Sequence, residues 1–110
     1  MANFDKAIKA TDGVPSISVI TLIYGDLQKQ FRKDIEEFPK KIQSCNSSKM
    51  AEKLLLDIVN THYDFRDEMI SRKDDAVGFF NSNMNYYNKK YTECINLAEK
   101  KYDELKKQGK

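Results

Sequence analysis

A chain of 110 residues with 19 Lys and Arg, 17 Asp and Glu and one His carries a formal net charge of +2, too weak a global field to point to nucleic acid or anionic lipid. Four Gly and two Pro leave too few turn-makers for an all-β fold of this size, so a small number of long elements is expected. The length suits one domain spanning residues 1–110 that buries its own core without a covalent staple.

Charge is uneven along the chain: residues 45–80 sum to −2 and residues 81–110 to +3. Such a gradient is ordinarily a solvated surface, with the capacity to steer helix pairing or a partner. Cys45 and Cys94 stand apart with no Cys-x-x-Cys and no pair of histidines, so neither zinc nor redox chemistry is indicated. The start of the chain lacks the apolar run of a secretion signal. The most apolar stretch, Val14 to Tyr24, has 11 residues against the roughly 20 needed to cross a bilayer. A cytoplasmic protein with reduced thiols and no transmembrane segment is the expectation.

Met1 to Gly13 reads as a short arm in which Phe4, Ala7 and Ile8 have helical spacing. Pro15 or Ser16 then suits the start of a first long helix, since a first-turn proline loses no hydrogen bond. Ile20, Ile23, Tyr24, Leu27, Phe31, Ile35, Phe38 and Ile42 recur in steps that keep one face apolar. Glu36 and Glu37 precede Lys40 and Lys41 on the outer face in the favourable i,i+4 order. Pro39 is expected to kink this helix or end it near Phe38. Ser44 to Ser48 is the clearest loop, with Ser47 or Ser48 capping the next helix.

From Ala51 the stripe runs through Leu54, Leu55, Ile58, His62, Phe65 and Met69. It resumes at Ala76 or Val77 and continues over Phe80, Met84, Tyr87, Tyr91, Ile95, Ala98, Tyr102 and Leu105. This near-heptad, coiled-coil-like pattern is too long for one rod in a small domain, so a turn must interrupt it. Ser71 to Asp75, with Asp74 as a helix cap, and Asn81 to Asn85, a cluster of turn-forming residues beyond Gly78, compete for it. The asparagine cluster is preferred. The resulting fold is all-α: an antiparallel bundle of helices near 16–43, 48–80 and 84–107 with the N-terminal arm across one end. Phe31, Ile35, Leu55, Ile58, Phe65, Phe80, Tyr91 and Ile95 are its expected core.

No constellation carries a recognisable chemistry. His62 is the sole histidine and lies on the apolar stripe, which favours a boundary-of-core role over a catalytic triad. A di-iron bundle would want Glu-x-x-His twice, but position 59 is Val59. The carboxylates Asp64, Asp67 and Glu68, and Asp34, Glu36 and Glu37, match no calcium loop and read as solvated, salt-bridged faces. Gly13, Gly25, Gly78 and Gly109 are isolated, so no phosphate-binding loop is present. No cofactor and no metal are implied.

The functional expectation is therefore a non-enzymatic helical interaction module, a homodimer or an adaptor or inhibitor that meets another protein through an apolar helical face. Its partner-binding candidates are Tyr24, Met69, Ile70, Phe79, Tyr86 and Leu97, large side chains in excess of what a three-helix core hides. One alternative is a nucleic-acid or anionic-surface binder using Lys89, Lys90, Lys100, Lys101, Lys106 and Lys107 among the C-terminal tyrosines. Another is a small enzyme or ligand carrier with a pocket near His62, Tyr63 and Asp67.

Overall fold

A computed structural model describes residues 17–110. Among them are three α-helices, α1 (Ile17–Ser44), α2 (Ser48–Ser71) and α3 (Val77–Lys107), with a single 3-10 turn at Lys73–Asp75 between the last two. They form an all-α, antiparallel three-helix bundle in which α2 and α3 make the most extensive pairing. The expected N-terminal arm lies outside the described residues. No helix among the described residues is long and apolar enough to cross a membrane.

The core follows the apolar stripes. Phe31, Ile58, Phe65 and Tyr91 are buried, while Ile35, Leu55, Phe80 and Ile95 pack half-buried against them. A smaller cluster of Cys45, Ala51 and Leu105, joined by Leu54 and Tyr102, closes the end at the α1–α2 turn. Pro39 does not end α1, which runs on to Ser44. Buried Phe38 and Ile42 flank it, so packing carries the helix past one missing backbone bond.

The turns show which local signals matter. Ser47 caps α2, its hydroxyl accepting from the Met50 amide at 3.2 Å. At the far end of α3, Gly109 takes φ 75°, a conformation that costs glycine nothing. The Lys110 amide then donates to the Leu105 carbonyl and the Gly109 amide to that of Lys106, a Schellman closure. This turn brings the Lys110 carbonyl to the Ser48 amide at 3.0 Å, so the end of α3 satisfies a free donor at the start of α2.

The α2–α3 turn falls at Arg72–Ala76, not at Asn81–Asn85. Arg72 fixes it: its guanidinium donates to both carboxylate oxygens of Asp26, to Glu68 and to the Ile23 carbonyl. Ala76, at φ −157° and ψ 68° and fully buried, turns the corner. The cap of α3 is thus Ala76 without a side-chain bond, and Asp74 lies within the 3-10 turn. Asn81, Ser82 and Asn85 sit exposed on α3, and Asn83 bonds back to the Phe79 carbonyl.

Candidate functional site

The densest set of chemically capable side chains lies midway along the bundle. Asp34 stands on the α1 stripe between Phe31 and Phe38 and is the sole buried charged residue among those described, 6% exposed. One carboxylate oxygen accepts from Gln30 Nε2 at 2.8 Å; the other accepts from the Tyr91 hydroxyl at 2.7 Å. No ammonium or guanidinium among the described residues comes within ion-pair distance of Asp34. Sequence reasoning had grouped it with Glu36 and Glu37 on a solvated face. Its spacing of three from Phe31 and four from Phe38 was the available signal that it points inward.

Rings surround this pair. Phe31 meets Tyr87 edge-on at 4.5 Å and Tyr91 at 5.7 Å, and Phe65 meets Tyr87 at 5.2 Å and Tyr91 at 5.3 Å. The edge-to-face contacts of Phe31 with both tyrosines and of Phe65 with Tyr87 set electropositive ring edges on electronegative faces. Burial pushes the Tyr91 hydroxyl far above its ordinary range, and its bond to Asp34 adds to this. Burial likewise raises Tyr87 and the Cys94 thiol. These groups are held in their neutral, protonated forms, the reverse of an activated nucleophile.

His62 lies beside this layer. Its ring stacks on Tyr91 at 5.2 Å and 18°, and Nε2 lies 2.9 Å from Asn88 Oδ1, which requires the hydrogen on Nε2. Stacking and hydrogen bonding together account for a histidine at a core boundary. Among the described residues, His62, Tyr63 and Asp67 line none of four well-formed grooves along the bundle. No group of His, Cys, Asp and Glu among the described residues is arranged to hold a metal ion. Both cysteines are unpaired and buried, Cys45 in the end cluster and Cys94 in the main core.

The partner-binding candidates divide in two. Tyr24, Met69 and Phe79 belong to the core, Tyr24 stacking on Phe79 at 4.9 Å; they are not surface anchors. They are hidden because the turn comes early, which sets the first turn of α3 against α1 near Tyr24. Ile70, Tyr86 and Leu97 are exposed. The structure adds Leu56, 57% exposed, which the sequence pattern does not single out, and Tyr63, 55% exposed, which it places in the pocket alternative beside His62. With Ile70 they recur every seven residues and so share one outward face of α2.

The α3 lysines stay on the outer face, interspersed with Glu93, Glu99, Asp103 and Glu104. Lys90 pairs with Glu93 at 3.5 Å and lies over the Tyr86 ring, and Lys106 lies over Tyr102. Lys89, Lys100 and Lys107 are exposed and Lys101 is half-buried. The six do not converge on one groove.

Comparison with protein-family models, curated proteins and solved structures finds no match to any of them.

Proposed function

We propose that this protein is a non-catalytic helical interaction module that associates with a second copy of itself through the outer face of α2. The observation that carries this reading is the exposed stripe of Leu56, Tyr63 and Ile70 on a bundle whose core is already filled by other residues. Apolar side chains aligned on one face, in excess of the core, are what an association surface needs.

The spacing suits a twofold pairing. Leu56 and Ile70 lie equally far from Tyr63, so an antiparallel pair centred on Tyr63 sets Leu56 of each copy against Ile70 of the other. One patch then serves both partners, as a twofold interface requires. In the same register Arg66 falls against Asn60 of the second copy and Asp67 against Val59, so like charges do not oppose in the central turns.

Sedimentation equilibrium tests the reading. The expected mass at micromolar concentration is about twice 12.8 kDa, and Tyr63→Glu is expected to return a folded monomer. A concentration-independent 12.8 kDa species that binds no hydrophobic dye would refute it. A monomer whose dye binding disappears in Tyr63→Glu would transfer the same face to a different protein partner.

A further inference from the structure

A separate surface lies at the opposite end of α2 from Ile70, away from the stripe of Leu56, Tyr63 and Ile70. An open groove of about 510 Å³ lies where α1 turns into α2, lined by Lys40, Lys41, Lys53, Cys45, Met50 and Leu54 together with Ser44 and Asp57, so three lysines face one carboxylate. Cys45 and Leu54 join it to the end cluster, so its lining sets apolar side chains beside three lysines. Met50 is 48% exposed and offers a flexible, adaptable contact. Lys53 has no ion-pair partner among the described residues, Lys41 leans over the Phe38 ring, and Lys40 meets only Glu36, at 3.5 Å between two well-exposed groups. Such a pair is weak and readily exchanged.

We infer that this groove docks a short acidic segment of another protein, a large apolar side chain entering between Met50 and Leu54 while flanking carboxylates meet Lys40, Lys41 and Lys53. Two features select that occupant. The groove is wide open to solvent, so a free small molecule would stay largely exposed, whereas a side chain presented by another chain brings its own cover. The sign of the charge also changes along the α1–α2 seam. The neighbouring groove, sharing Lys41, Leu54 and Asp57, is lined by Asp34, Glu37, Asp57 and Asp64 against Lys33 and Lys41. An acidic chain is therefore repelled from running along the seam and is confined to the turn end.

The test is an amide-shift titration of the isotopically labelled full chain with the capped peptide EELLEELLEE and its counterpart KKLLKKLLKK. Shifts from the acidic peptide are expected to concentrate over residues 40–57, with at least about tenfold weaker binding of the basic one. Lys41→Gln with Lys53→Gln, both exposed, should weaken the acidic peptide about tenfold, and raising salt well above about 0.1 M should weaken it further. Met50→Ser should cost a few-fold with no change in the remaining spectrum, which separates loss of the groove from loss of the fold. Equal binding of both peptides, shifts centred elsewhere, or an unchanged affinity in the double lysine variant would overturn the assignment. Lysine-dependent co-sedimentation with phosphatidylglycerol vesicles, without peptide binding, would overturn it in favour of an anionic membrane surface.

Discussion

Tyr24 and Tyr91 are both completely buried, yet their hydroxyls have opposite fates. Tyr91 donates to Asp34 at 2.7 Å at the centre of the aromatic layer. Tyr24 stacks on Phe79 near the α2–α3 turn, and its hydroxyl has no hydrogen-bond partner among the described residues. One phenol is placed by a specific acceptor reaching in from another helix; the other is placed by the shape and apolar area of its ring. A buried hydroxyl is costly to leave unpaired, so the middle of the bundle is specified by polar satisfaction and the turn end by packing.

The largest expected effect removes what both modes share. Phe65→Ala deletes a ring that touches Phe31, Tyr87 and Tyr91, and should lower unfolding free energy by about 3–5 kcal/mol through lost burial and an unfilled cavity. Ile58→Ala, at a fully buried position, should lose about 2–5 kcal/mol. Urea denaturation measures both, and unmoved midpoints would show that the stripe is not the core.

Next comes Tyr91→Phe. It preserves the ring but leaves Asp34 buried with Gln30 as its one remaining side-chain donor among the described residues, so a loss of about 1–3 kcal/mol is expected. Combining it with Asp34→Leu sharpens the point. If the pair acts as a unit, the double variant should be less destabilised than the sum of the two single changes. Additive losses would mean that the 2.7 Å contact does not couple the two residues.

The aromatic layer and the turn end were unequally legible in the sequence. The spacing of three and four was enough to find all three helices and to bury Phe31, Ile58, Phe65 and Tyr91, because helical periodicity is a local property. Ser47 was legible for the same reason. The position of the second turn was not. It depends on Arg72 reaching Asp26, 46 positions away, and tertiary anchoring of that kind overrode the local turn preference of the asparagines. Missing it misassigned Tyr24, Met69 and Phe79 as surplus surface. Asp34 was missed because a carboxylate on an apolar stripe is explained only by a donor on a helix far along the chain. The stripe of Leu56, Tyr63 and Ile70 shares its period with the core stripe, and only the solved packing separates the two.

Solution pH separates the same two regions through different groups. The Arg72 guanidinium, bonded to Asp26, holds that carboxyl below its ordinary 3.8. A depressed folded-state pKa contributes stability above 3.8 that disappears as pH falls through the lower folded value. Arg72→Met should flatten that acid limb of a thermal-stability profile. At the alkaline end burial, with Asp75 nearby, raises Tyr24 from 10.0 to about 12, and burial raises Tyr91 further. Here the unfolded chain gives up its protons first, so the stability present below pH 10.0 falls as pH rises beyond it. Tyr91→Phe should blunt that fall more than Tyr24→Phe; equal effects would contradict the added hold of Asp34 on the Tyr91 proton.

The smallest expected effect is at neutral pH and has the opposite sign. Tyr24→Phe keeps the ring that stacks on Phe79 at 4.9 Å and 26° and removes a hydroxyl that has no partner among the described residues. Replacing an unsatisfied polar group by hydrogen takes away a desolvation cost without breaking a bond, so stability should stay level or rise by up to about 1 kcal/mol. The space once held by the oxygen offsets part of that gain, since even a small void forfeits contacts in a close-packed interior. Chemical denaturation of Tyr24→Phe beside Tyr91→Phe makes the comparison direct, because the two changes delete the same atom from equally buried rings. A loss at Tyr24 as large as that at Tyr91 would show that the Tyr24 hydroxyl has a hydrogen-bonded role after all. A gain at Tyr24 with a loss at Tyr91 is the result that follows from packing at one end and polar satisfaction at the centre.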